Sequence, residues 1–139
     1  MRLQKNTRLA LCSVLEFAGR AGEHVAAAEV AAKYGESPHH LAKVLSELAR
    51  AGLVESVRGV GGGYRFVANA KRLTLLDVIR LFEPLGESTE APGMDAPPVD
   101  RALAQVLEEI DQTALATFGS ITVATMLKMV ERGEGKGRE

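Results

Sequence analysis

A chain of 139 residues, 46% hydrophobic and 25% charged, suits one domain with a sizeable core and excludes disorder throughout. No apolar run reaches the roughly 18–20 residues of a membrane helix, and the opening Met1-Arg2-Leu3-Gln4-Lys5-Asn6-Thr7 has no apolar stretch leading to a small-residue cleavage site, so a cytoplasmic protein is expected. The net charge of −1 divides unevenly, with 12 Lys/Arg against 8 Asp/Glu up to Glu83 and 5 against 10 from Pro84 onward, which fits phosphate contact by the first half and protein or solvent contact by the second.

A first helix is expected from Asn6 to Arg20, with Leu11, Val14, Leu15 and Ala18 as its apolar face and the glycines at 19 and 22 as its stop. A second, from Ala26 to Tyr34, carries Val25, Ala28, Ala31 and Ala32 as a small-residue face and ends at Gly35. Gly35-Glu36-Ser37-Pro38 reads as a tight turn, since Ser37 caps free N–H groups and Pro38 suits the first helical position. The third helix, Pro38 to about Ala51, places Leu41, Val44, Leu45 and Leu48 in one stripe. His39, His40, Lys43, Ser46, Glu47 and Arg50 fall on its other faces.

Leu53 to Val57 and Tyr64 to Val67 alternate as strands, and the turn between them, Arg58 to Gly63, holds four glycines in six residues. A β-hairpin with a close-lying tip follows. Thr74 with Asp77 resembles a capping box ahead of Leu75, Val78, Ile79 and Phe82. Pro84 to Pro98, with four of the five prolines, reads as an irregular loop. Val99, Leu103, Val106, Leu107, Ile110, Ala114, Leu115 and Phe118 then hold helical spacing for about five turns. Gly119 is expected to interrupt, Thr122 to cap a short helix through Val130, and Glu131 to Glu139 to fray as a charged tail. The division expected is residues 1–83, a loop at 84–98, helices at 99–131 and a tail at 132–139.

Three short helices and a hairpin, in this order, are a winged helix-turn-helix. The fold class is mainly α with a small β-hairpin wing and a long C-terminal helix. The third helix has an apolar back and a polar front led by His39, His40 and Lys43, suited to a major groove about 12 Å wide. Its N-terminus at Ser37 favours a phosphate oxygen, and Arg58 at the hairpin tip suits a narrow minor groove. The long helix follows a complete small domain and leaves little chain to cover its stripe, so a partner copy is expected. Nothing points to an enzyme: there is no Walker loop and no G-x-S-x-G, and the glycine run joins two strands instead of opening a helix. A protein-interaction module built on the same fold is the alternative.

The residues also resemble the IscR/NsrR/CymR-type winged helix-turn-helix transcriptional regulators of bacteria. The resemblance lies in Met1-Arg2-Leu3 and Thr7, in Ser37 through Leu45, in Ala51-Gly52-Leu53-Val54, and in Ser56-Val57-Arg58-Gly59 with Gly61-Gly62-Gly63-Tyr64. It continues in Leu73 through Val78 and Ser120-Ile121-Thr122-Val123, and so spans nearly the whole chain. It implies a homodimeric repressor, with the helix from His39 to Ala51 in the major groove of an operator and the Arg58 wing in the minor groove. DNA contact then falls to Arg2, Thr7, Ser37, Pro38, His39, His40 and Lys43, and in the wing to Arg58, Gly59, Gly61 and Tyr64. Dimerisation falls to the helix from about Asp100 to Phe118, through Leu103, Val106, Leu107, Ile110, Ala114 and Phe118.

Many members of that family carry three cysteines between the fourth helix and the long helix as ligands of an iron–sulphur cluster. Here the stretch from Pro84 to Pro98 has neither Cys nor His, so no cluster or other cofactor is expected. The single Cys12 and three histidines also lack the paired spacings of a disulfide scaffold or structural zinc site. Cys12, four residues from Arg8 and four from Glu16, is the remaining redox candidate. A small-molecule effector between the DNA-binding part and the long helix, or a protein contact through the proline-rich loop, stays open.

Overall fold

The computed structural model describes residues 2–59, 63–85 and 91–137. Helix α1 (Lys5–Ala18) is followed by α2 (Ala27–Lys33), α3 (Pro38–Arg50), β1 (Val54–Val57), β2 (Gly63–Phe66), α4 (Leu75–Ile79), α5 (Pro98–Ser120) and α6 (Val123–Gly137). β1 and β2 pair antiparallel, with Val54 opposite Phe66 and Val57 opposite Gly63.

The core gathers one face from each of the first helices. α3 contributes Leu41, Val44, Leu45 and Leu48, all buried, as its spacing predicts. In α1 the expected face is turned. Val14 and Ala18 are buried, but Leu11 and Leu15 only partly, and Ala10, Ser13 and Phe17 complete the inward side. Ser13 escapes a hydropathy reading because its hydroxyl donates to the Leu9 carbonyl at 2.7 Å, which satisfies it where it is buried. In α2 the inward residues are Val30 and Ala31, whereas Ala28 and Ala32 face solvent. Val25, just before α2, is buried and exchanges two backbone hydrogen bonds of 2.9 Å with Tyr64. The hairpin is thereby fastened to the helices.

Thr74 caps α4 as expected. Its side chain accepts from the Asp77 N–H at 3.1 Å, and the Asp77 carboxylate accepts from the Thr74 N–H at 3.0 Å. Two expectations about the C-terminal third are corrected. Gly119 lies within α5 without breaking it, and a Cβ there would make only ordinary contact with Leu76 Cδ2, at 3.4 Å, where α5 passes α4. α6 runs to Gly137 instead of ending at Val130, although Thr122 does cap its start by accepting from the Thr125 N–H at 3.2 Å.

α6 returns to pack on α1, burying Val123 and half-burying Leu127. The elbow between α5 and α6 is pinned. The Leu75 N–H donates to the Ile121 carbonyl at 3.0 Å, the Val123 N–H to Leu73 at 2.8 Å and the Ala124 N–H to Ala70 at 2.9 Å. By contrast α5, 23 residues long, has no buried residue. Among the described residues, no helix is long and apolar enough to cross a membrane.

Candidate nucleic-acid interface

The turn ahead of α3 is built by Gly35, whose φ of +64° favours glycine, and by Ser37, whose hydroxyl accepts from the His40 N–H at 3.1 Å. Pro38 then occupies the first turn, where its missing N–H costs nothing. With four leucine and valine side chains holding its back, α3 shows solvent His39, Ala42, Lys43, Ser46, Glu47 and Arg50. Of these charges, Arg50 is taken by Glu47 at 3.0 Å, while Lys43 forms no ion pair among the described residues. The two adjacent histidines part company. His39 is exposed, but His40 is half-buried, with its Nε2 covered and without a hydrogen-bond partner.

In the wing, Arg58 and Gly59 are exposed, and Gly59 has a φ of +108°. Gly61 lies outside the described residues, as do its neighbours Val60 and Gly62. Glu55 and Arg65 pair across the strands at 2.8 Å. Gly63 is required for another reason: a Cβ would meet the Val25 carbonyl oxygen at 2.4 Å. Tyr64 is a buttress, half-buried with its ring 6.0 Å from that of Phe17. Its ring supports the wing from behind.

Thr7 also departs from expectation. It is fully buried, and its hydroxyl donates to Glu83 Oε2 at 2.5 Å, an oxygen that also accepts from the Gln4 N–H at 3.0 Å. Its side chain ties the start of α1 to the segment after α4 and leaves no face for a phosphate. Arg2 is exposed. With Lys5 and Arg8, at intervals of three residues, it lines a cleft of about 520 Å³ beside Tyr34 and Glu36. Lys5 reaches Glu36 at 3.1 Å, and this hydrogen bond is the main reason the Glu36 carboxyl is held below its ordinary value. Lys5 is not singled out by the sequence, and Arg8 only as a neighbour of Cys12, although the spacing of three with Arg2 is visible there.

Cys12 is half-buried on α1. Burial pushes its thiol up, Glu16 adds to this, and the opposing effects of Arg8 and the Tyr34 hydroxyl are too small to reverse it. The thiol is therefore the dominant form at neutral pH, which disfavours reaction with oxidants. In the long helix Leu103, Val106, Leu107 and Ile110 are each more than half exposed, while Ala114 and Phe118 are half-buried.

Comparison with known proteins agrees with this geometry. The Rrf2 family, described as an iron-dependent transcriptional regulator, matches residues 3–129. The HTH-type transcriptional regulator BadM of Rhodopseudomonas palustris is 48% identical over 131 residues, covering 94% of this chain and 84% of that protein. Among solved structures, CymR, the global cysteine regulator of B. subtilis, superposes with a TM-score of 0.79 at 25% identity, over 93% of this chain and 98% of that one. IscR of T. potens does so with 0.78 at 25% identity, over 96% and 90%. These relatives are regulators, not enzymes.

The iron dependence in the family's description does not fit the donors this chain offers. It has one thiol in all, on α1, and no Cys or His from Pro84 to Pro98. Among the described residues no group of three or more His, Cys, Asp or Glu side chains is placed to hold a metal ion. An iron–sulphur cluster is ordinarily held by several thiolates, so no step of this protein's action is derived through one. With a polar helix face set on a buried apolar back, a wing beside it and a family match over most of its length, the chain belongs to the Rrf2 family of winged helix-turn-helix, DNA-binding transcriptional regulators.

Proposed function

We propose that this regulator is a homodimeric repressor that binds a two-fold-symmetric duplex operator in the cytoplasm, with residues 1–83 reading DNA and residues 99–131 joining the copies. The observation that carries the dimer is α5. Leu103, Val106, Leu107 and Ile110 present a stripe more than half exposed, and an apolar surface of this kind marks an interaction site. A second copy suits it because closed two-fold pairing of one surface with itself is the commonest oligomer. Ala114 and Phe118 extend the same stripe toward the elbow.

Each copy then places α3 in a major groove, with His39 and Lys43 toward base edges or phosphates and Ser37 and Pro38 setting the helix start against the backbone. Arg58, carried on Gly59 and the glycine-rich tip that includes Gly61, enters the flanking minor groove. Arg2 adds charge at the edge. His40, Thr7 and Tyr64 act from behind by holding these surfaces in place. Repression follows if the dimer occludes a promoter.

Duplex binding measured against salt tests this reading. Log K is expected to fall with log[salt] by about 0.9 per neutralised phosphate, and Lys43→Ala and Arg58→Ala each to lower that slope by about 1 where they lose a phosphate contact. Affinity indifferent to salt and to both substitutions would instead favour a protein-interaction module.

A further inference from the structure

Between α1, the end of α2 and the second half of α6 lies a cleft of about 780 Å³, distinct from the surface assigned to DNA. Leu15, Ala18, Leu127 and Val130 give it an apolar floor, and Tyr34 stands at its edge. Its charges do not balance. Three carboxylates, Glu16, Glu131 and Glu134, face two cations, Arg20 and Lys33. Arg20 pairs with Glu23 at 3.7 Å and with Glu29, neither of which lines the cleft, and its charge also favours the Glu16 carboxylate from a distance. Lys33 is held by Glu16 at 2.7 Å. Glu131 and Glu134, three residues apart on one face of α6, make no ion pair or hydrogen bond among the described residues, although Glu134 is close enough to favour the charge of Lys33.

We propose that this cleft binds a small organic cation, an ammonium group on a short apolar body, with the body on Leu15, Leu127 and Val130 and the charge among Glu16, Glu131 and Glu134. The chemistry is complementary on each side. The apolar floor gains from excluding water, the excess carboxylate charge gains a counter-charge, and Tyr34 brings an aromatic side chain to the lining. An organic anion meets the reverse situation, because the two cations present are already engaged.

The site also touches a path to α3. Glu16 Oε1 accepts both from the Tyr34 hydroxyl at 2.5 Å and from Lys33, and Tyr34 is the C-terminal cap of α2, three residues before Ser37. A ligand ammonium competes with Lys33 for Glu16 and so bears on the end of α2 from which the recognition helix is hung. This coupling rests on the DNA-binding reading; the cleft itself does not.

Titration calorimetry of the full chain with n-hexylammonium chloride tests the cleft, with sodium hexanoate and 1-hexanol as controls of matched apolar body. Hexylammonium is expected to bind about tenfold more tightly than either control, and the double variant Glu131→Gln/Glu134→Gln to lose about that factor. Glutamine keeps helix propensity at both exposed positions, and circular dichroism melting verifies folding of the variant. Hexanoate binding as well as hexylammonium, an unaffected double variant, or no binding of hexylammonium up to millimolar concentration would each overturn the proposal. Repeating the titration with duplex present separates the two readings. Loss of duplex binding by the ligand-free protein would count against the operator model, and the ligand-only titration would still decide the cleft.

Discussion

At Gly63 the constraint is contact with a neighbouring backbone, not backbone conformation. A Cβ there would stand 2.4 Å from the Val25 carbonyl oxygen and 2.7 Å from its carbon, and neither atom can swing aside as a flexible side chain would. Gly63→Ala is therefore expected to part the Val25–Tyr64 bridge and cost about 1–3 kcal/mol, read as a fall in the denaturant midpoint; unchanged stability would mean that the hairpin can slide freely on the helices. Cys12 invites the opposite expectation. Since burial favours its neutral thiol, Cys12→Ser is expected to leave duplex affinity, and its response to peroxide, within about twofold of the parent. A parent that loses affinity on peroxide treatment while the variant keeps it would establish thiol sensing. Single residues also show where hydropathy reading stops. Thr7 and Ser13 are fully buried because their hydroxyls find acceptors on Glu83 and Leu9, partners that lie outside any periodic pattern.

Among the helices, legibility follows how the back of each one is filled. In α3 the buried set is wholly aliphatic, so spacing alone located both its inward side and the polar side opposite. α1 buries two hydroxyls and leaves two leucines half-exposed, which turned the expected face. α6 continues through Glu131–Gly137 although composition there reads as a tail, since the packing of Val123 and Leu127 on α1 supplies what the local sequence lacks. Long-range support of this kind is invisible to a window of residues. The junction of α1 and α2 has its own pH signature. Burial opposes ionisation of Glu16, but hydrogen bonds from Lys33 and Tyr34 outweigh it and leave its carboxyl below the ordinary value. A carboxyl depressed by folding contributes stability above its unfolded pKa, and that contribution is lost as pH falls through the folded value. The difference in melting temperature between the parent and Glu16→Gln is accordingly expected to be constant near neutrality and to shrink under acid conditions. A difference independent of pH would show that the carboxylate's charge is immaterial.

For the molecule as a whole, the part through Glu83 was more readable than the part from Pro84 onward. Order of elements, turn chemistry and the α3 stripe all lie close together in sequence, whereas the elbow at Ile121 and the return of α6 join segments some fifty residues apart or more. The exposed stripe of α5 has one direct consequence for assembly. Ile110→Glu places a charge in its middle, and a charge buried without a partner costs several kcal/mol. Sedimentation equilibrium is expected to shift from dimer to monomer, with duplex affinity falling by at least about tenfold while the circular dichroism spectrum is kept. A variant that remains dimeric would move the interface elsewhere.

The pinned elbow also has a mechanical meaning. Three backbone hydrogen bonds hold Ile121, Val123 and Ala124 to the segment around α4, and the adjoining end of α5 lies beside Leu76. At the other end Val99 is 80% exposed. α5 is thus a rod of about 34 Å with its fulcrum beside α4 and its free end one helix length away. A tilt of about ten degrees at the fulcrum sweeps the free end through about 6 Å, and by the same leverage a shift of that size imposed at the free end reaches the elbow as a rotation with almost no translation.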